Sequence, residues 1–169
     1  MTLFYKEMAS PVGKLKLVAS ANALVAVLWE RERPNRVKLE PMRLDPYHPV
    51  LADTERQLTE YFGGARTEFD LPLEPQGSEF QKTVWRALRA IPFGTTRSYL
   101  DLAQAIGSNN AARAVGAANG KNPISIIVPC HRVIGSNGTL TGFAGGLEVK
   151  AKLLALEAKA ASAKEEKVL

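Results

Sequence analysis

The chain has 169 residues, 46% of them hydrophobic and 23% charged, the proportions of an ordinary globular protein with one or two small domains. No run approaches the roughly 18 consecutive apolar residues of a membrane span, so no membrane partner is expected, and a single cysteine excludes any disulfide within the chain. The 22 Lys and Arg against 17 Asp and Glu leave a net charge of +5, which suits a polyanionic partner without identifying one.

The first residues, Met1 to Glu7, lack the basic flank and long apolar segment of a secretory signal. With one reduced thiol, the expected location is cytoplasmic. Lys14-Leu15-Lys16-Leu17 alternates polar and apolar as a half-buried strand does. Ser20-Ala21-Asn22 reads as a turn and the apolar run from Ala23 to Trp29 as a second strand, so the two predict a hairpin. Residues 31–49 are rich in charge and proline and predict irregular chain, with His48 as a surface loop residue. Pro49 suits the first position of a helix. Leu51, Leu58, Tyr61 and Phe62 fall on one face of that helix, and Gly63-Gly64 ends it. The proline-rich stretch from Leu71 to Gly77 predicts a linker. The division is therefore an α+β N-terminal domain over residues 1–76, a small sheet plus helix, followed by a mainly α C-terminal domain over residues 77–169.

Ser78 and Gln81 form a capping-box pattern. Phe80, Val84, Leu88 and Ile91 follow at helical spacing, with Phe80 and Trp85 assigned to core packing, and Pro92 and Gly94 stop the helix. A second helix begins at Ser98, which pairs with Asp101 as a cap. Leu102, Ala103 and Ile106 form its apolar face and Gly107 closes it. After a short turn at residues 108–110, Ala111 to Ala118 predicts a third helix built almost wholly of small residues, with Arg113 its single large cation. Helix, glycine-containing turn and helix make a helix-turn-helix pattern, and small side chains let a helix backbone approach a ligand closely. The Ala/Lys/Glu-rich tail from about residue 158 either extends the last helix or is disordered.

The cysteine lies in Pro129-Cys130-His131-Arg132-Val133, after the apolar run Ile124-Ser125-Ile126-Ile127-Val128, which predicts a buried strand. A lone cysteine is commonly a small buried hydrophobe. Next to an imidazole, at the end of a strand, it is also arranged for nucleophilic attack, because a nearby base or cation favours the thiolate. One Cys and two His, His48 and His131, offer no cluster with zinc spacing, so no metal or cofactor is expected.

The longer context carries more weight. Asn119-Gly120-Lys121-Asn122-Pro123 precedes the cysteine, and Gly135-Ser136-Asn137-Gly138 and Gly142-Phe143-Ala144-Gly145-Gly146 follow it. Over residues 78–157 the chain resembles the O6-alkylguanine-DNA alkyltransferases, including their Pro-Cys-His-Arg-Val signature. The resemblance implies direct repair of double-stranded DNA: the protein flips an O6-alkylguanine out of the duplex, approached from the minor groove, and moves its alkyl group once onto Cys130. It implies His131 as the base, Glu157 as the carboxylate that orients it, Tyr99 as proton donor to the leaving guanine, and Asn122 as a bridge from the recognition helix to the active-site turn. Backbone groups of Cys130, Val133 and Ala144 would read the base beside Phe143. Arg113 would fill the gap left by the flipped base, and Ser98, Ala112, Ala114, Gly116 and Ala117 would face DNA. A monomer is expected. Phe143 and Ala144 stand where some relatives have Tyr and Ser, which bears on the range of alkyl groups. On local grounds alone, Glu157 is an exposed helix residue, Tyr99 a core aromatic and Arg113 a solvated cation. Two other readings stay open: a lesion-binding protein without catalysis, and a cysteine hydrolase that turns over.

Overall fold

The computed structural model describes residues 1–108 and 110–168, with side chains to residue 163. The chain divides into two compact units, residues 1–77 with 123–127, and residues 78–122 with 128–169. The first unit thus recruits five residues from beyond the linker.

In the first unit, β1 (Leu3–Met8), β2 (Leu15–Ala19), β3 (Leu24–Trp29) and β4 (Met42–Leu44) form a sheet in the order β3-β2-β1-β4. The predicted hairpin is β2 and β3, antiparallel, with Leu17 opposite Val27. β1 pairs antiparallel with β2, and β4 joins β1 in parallel. α1 (Pro49–Phe62) packs on the sheet. The period of two assigns the faces. Phe4 meets the His48 ring at 5.1 Å and Lys6 pairs with Glu55 at 3.1 Å, so this face carries α1. Leu3, Val18 and Ala26 point the other way into a cluster closed by Leu39 and Met42 from the segment between β3 and α1.

Two expectations change here. Residues 31–49 are not wholly irregular, since they contain β4. His48 is buried rather than a surface residue: it is the N-cap of α1, and its Nδ1 accepts from the Val50 amide at 3.2 Å. An imidazole acceptor does here what a Ser or Asp cap usually does.

The outer edge of β3 is covered rather than exposed. The Leu24 amide donates to Pro72 O and the Glu74 amide to Leu24 O, both at 2.8 Å, so the linker runs beside the strand as a parallel bridge. Further along the same edge, the Val27 amide donates to Pro123 O at 2.9 Å and Val27 bridges Ile124. Pairing removes the row of free amides that an edge strand otherwise presents.

In the second unit α2 (Glu79–Arg89), α3 (Tyr99–Ala105) and α4 (Ala112–Gly120) pack together, and α5 (Leu147–Val168) follows. Ser78 and Ser98 each complete a capping box, with Gln81 and Asp101. Trp85 is buried and its Nε1 donates to Ala118 O at 2.9 Å, tying α2 to α4. Phe80 is not core: it is 38% exposed. The helical spacing was right, but Phe80 falls at the rim of the buried face. α3 ends with Gly107 at φ +75°, its amide donating to Gln104 O and the Ser108 amide to Ala103 O, the glycine-terminated stop of a helix. Of the expected turn at residues 108–110, Asn109 lies outside the described residues. The Ala/Lys/Glu-rich tail extends α5. No helix among the described residues is long and apolar enough to cross a membrane.

Candidate active site

The segment that leads to Cys130 is not the predicted strand. Residues 124–128 make only isolated bridges and a tight turn. The Ile127 amide donates to Ser125 O at 2.9 Å, and Ile126 sits at φ +73°. A β-branched residue there costs on the order of 1–3 kcal/mol and persists only where the surroundings enforce it. An apolar run has the same composition whether it is a buried strand or a buried turn, so the pattern alone does not separate them.

Asn122 holds the near end of this turn. It is buried, and its Nδ2 donates to Val128 O at 2.8 Å, joining the end of α4 to the residue two before the cysteine. The Cys130 amide donates to Val128 O at 2.8 Å, and a single 3₁₀ turn, Cys130–Arg132, follows. That turn runs into β6 (Val133–Ile134), which pairs in parallel with β5 (Arg97–Ser98) just before α3. Cys130 is 5% exposed and Val133 is buried.

Beneath the turn is a buried charge network. Glu157, from the third turn of α5, is 1% exposed. Its Oε2 lies 2.7 Å from His131 Nε2, and Arg132 donates from Nε to Oε1 at 2.8 Å and from Nη2 to Oε2 at 3.1 Å. Arg132 Nη1 donates to Ile91 O at 2.7 Å, and its guanidinium sits 5.6 Å from the Phe93 ring centre. Burial by itself pushes the Glu157 carboxyl up, but His131 and Arg132 outweigh it and hold the group down at about 2. Burial also pushes the His131 imidazole below its ordinary 6.5, against the pull of Glu157. The ring is therefore neutral near pH 7.

An ionised carboxylate can only accept, so His131 donates from Nε2. That fixes the tautomer and leaves Nδ1 with its lone pair. Nδ1 is buried with no hydrogen-bond partner among the described residues. The turn thus places a thiol beside a neutral imidazole whose acceptor nitrogen is unsatisfied and whose other nitrogen is anchored by a carboxylate. This is the nucleophile, base and orienter arrangement of covalent catalysis.

The remaining predicted residues occupy three places. Tyr99 opens α3, half-buried, and its hydroxyl lies 2.6 Å from Thr141 Oγ1. Phe143 and Ala144 are half-buried in the loop that Thr141 opens. On α4, Arg113, Ala114 and Ala117 are exposed, while Ala112 and Gly116 are half-buried. A Cβ added at Gly116 would meet the Tyr99 ring at 3.7 Å, an ordinary van der Waals contact, so Gly116 lies beside Tyr99 with room for a methyl group. Ser98 is engaged as the α3 cap.

Two residues of this site were missed. Arg132 was read only as part of the signature, although it neutralises Glu157. Lys150 is fully buried in α5, and its Nζ donates to Thr141 O at 3.3 Å. The available signal was the spacing Lys150, Leu153, Glu157, which puts all three on one helix face. Among the described residues, no group of three or more His, Cys, Asp or Glu is placed to hold a metal ion.

The fold and site together define a two-domain protein whose helix-turn-helix domain also carries a buried cysteine next to a histidine held by a carboxylate. Residues 79–159 match the DNA binding domain of 6-O-methylguanine DNA methyltransferase, and residues 3–75 match its ribonuclease-like domain. The chain is 49% identical over 156 residues to a methylated-DNA–protein-cysteine methyltransferase of Mycolicibacterium paratuberculosis, covering 90% of this chain and 91% of that one. It is 46% identical to the protein of that name from Methanosarcina acetivorans, over 92% of this chain and 98% of the relative. Its fold superposes on Mycobacterium tuberculosis OGT in complex with DNA with a TM-score of 0.85 and 43% identity, over 95% and 94% of the two chains. The chain belongs to the 6-O-methylguanine DNA methyltransferase family.

Proposed function

We infer that this protein binds DNA and repairs O6-methylguanine in it by methyl transfer to its own Cys130. The observation that carries this reading is the buried Cys130, His131 and Glu157 arrangement inside a DNA-binding domain. His131 Nδ1 takes the thiol proton, directly or through one water. The sulfur attacks the alkyl carbon, a C–S bond forms, and the C–O6 bond breaks with its electron pair leaving on guanine. Tyr99 returns a proton to the base. Glu157 holds the imidazole and stabilises its charged form.

The target atom lies within the duplex stack, so the base must be extruded, at a cost of a few kcal/mol. The exposed face of α4 suits the approach, from the minor groove: Ala114 and Ala117 have no bulk to keep the helix backbone away, and Arg113 is free to fill the vacated space. Ala112, Gly116 and Ser98 complete that surface. In the pocket, the carbonyls of Cys130 and Val133 read the guanine amino group and the Ala144 amide faces O6, with Phe143 as a wall. Alkyl groups other than methyl, and O4-alkylthymine, are the finer specificity of the same pocket. The protein acts as a monomer in the cytoplasm.

A thioether is not hydrolysed like an acyl-enzyme, so each chain acts once. Peptide mapping by mass spectrometry after incubation with duplex containing O6-methylguanine tests the assignment. The expected result is one methyl group on the peptide carrying Cys130 and none on the Cys130→Ala variant. A methyl group on another residue, or none at all, would overturn it.

A further inference from the structure

Thr141 touches the one group of this mechanism that must give a proton to the departing base. Its Oγ1 lies 2.6 Å from the Tyr99 hydroxyl, a hydrogen bond between two groups that can each donate or accept. Among the described residues neither hydroxyl has another hydrogen-bond partner. The pair can therefore be arranged in two ways. If Tyr99 donates to Thr141, its only hydroxyl proton is held within the protein. If Thr141 donates to Tyr99, that proton is left for a base in the pocket. Two features fix where the Thr141 hydroxyl stands. Threonine is β-branched, which restricts its χ1. Its carbonyl accepts from the buried Lys150 ammonium at 3.3 Å, which ties the residue to α5. Lys150 and Glu157 share one face of α5, and Glu157 holds His131 at 2.7 Å. One helix thus anchors both groups that move protons: His131 through Glu157, and Tyr99 through Lys150 and Thr141.

We propose that Thr141 is the positioning residue of the proton donor: its hydroxyl donates to Tyr99 Oη, turns the Tyr99 proton toward the guanine, and holds the phenolate oxygen once that proton has gone. The inference rests on methyl transfer from guanine to Cys130 as the reaction. The step balances. The thiol proton goes to His131, the C–S bond forms, the C–O6 bond breaks with its electron pair on guanine, and the Tyr99 proton neutralises that base. One imidazolium and one phenolate remain, so the net charge of the pocket is unchanged. The phenolate can only accept, and the Thr141 hydroxyl is the donor already within reach of it. The competing role is purely structural, with Thr141 as a loop residue that keeps Phe143 and Ala144 in place.

Single-turnover methyl transfer from duplex O6-methylguanine, followed over a range of protein concentrations, separates DNA binding from the transfer step. Thr141→Val keeps the shape and removes the hydroxyl. It is expected to lower the limiting rate at least about tenfold, part of the roughly 10²–10⁴-fold that a positioned acid supplies, with the half-saturating concentration unchanged. Thr141→Ser restores the hydroxyl on a freer side chain and should stay within about threefold of the wild type. In a Tyr99→Phe background, Thr141→Val should have no further effect. Alkylation of Cys130 by iodoacetamide expels iodide, which needs no proton, so its rate should be the same in wild type and Thr141→Val. Should Thr141→Val fail to fold, Thr141→Ala against Thr141→Ser makes the same comparison. Transfer by Thr141→Val at the wild-type rate, an equal loss in the Tyr99→Phe background, no recovery in Thr141→Ser, or a matching loss of iodoacetamide reactivity would overturn the proposal. No transfer by the wild type itself would instead overturn the functional reading on which it rests.

Discussion

His131 and Glu157 set the acid limit of the protein. Glu157 is held at about 2 in the fold against an ordinary 4.5, so its contribution is complete above about 4.5 and is lost as pH falls toward 2. That contribution is on the order of 3 kcal/mol. His131 is depressed below 6.5, so under acid the unfolded chain takes a proton that the folded chain refuses. Both effects lower stability in the same direction. The melting temperature is expected to decline below about pH 6.5 and more steeply below about 4.5, as differential scanning calorimetry would show. In Glu157→Gln the steep lower limb should vanish. At neutral pH the same variant leaves Arg132 buried without its anion, for a loss of about 3–5 kcal/mol. A variant as stable as the wild type would refute the buried network. Asn122→Ala removes the buried bond to Val128 O and should cost at least about 1–2 kcal/mol together with slower methyl transfer.

At the scale of elements, α4 contributes by what it lacks. Its positions Ala114 and Ala117 are exposed, so a larger side chain there can extend toward solvent. Ala114→Glu is expected to leave the melting temperature within about 1 °C while weakening binding to duplex DNA at least about tenfold, since it adds bulk and like charge at the docking face. Fluorescence anisotropy would measure this, and unchanged affinity would remove α4 from the interface. Gly94 shows the opposite case. It has φ +80°, and an added Cβ would lie 2.9 Å from Ala161 Cβ of α5, so Gly94→Ala should destabilise the second unit although it adds only a methyl group.

These elements differ in how far the sequence reveals them. The β2–β3 hairpin, α1, and the two capping boxes were legible because each is a local pattern: alternation, helical spacing, or a cap three residues from its partner. β1 and β4 were not, since a strand of mixed polarity such as Leu3–Met8 and one of three residues carry little periodicity. The turn before Cys130 was misread as a strand because its fold is set by Asn122 and by a positive φ at Ile126, neither of which leaves a hydrophobic pattern. The signature around Cys130 pointed to the proposed nucleophile and base through family resemblance. The resemblance also gave Glu157 as the partner of His131, but its second partner Arg132 was not legible, since it depends on α5 meeting the 3₁₀ turn across 25 residues of sequence.

The whole molecule unites a net charge of +5 with an α4 face on which Arg113 is exposed. Affinity for undamaged duplex should therefore be weak and fall with salt, because phosphate contacts release counterions. Single-use transfer to Cys130 is tested by stoichiometry. The protein is titrated with duplex DNA carrying one radiolabelled O6-methylguanine, and label on the protein is counted. Label should plateau at one per chain, with none on Cys130→Ala and no loss of label on standing. Turnover beyond one equivalent would make this a hydrolase, and tight binding with no transfer would make it a lesion-binding protein; either result would rule out single-use transfer to Cys130.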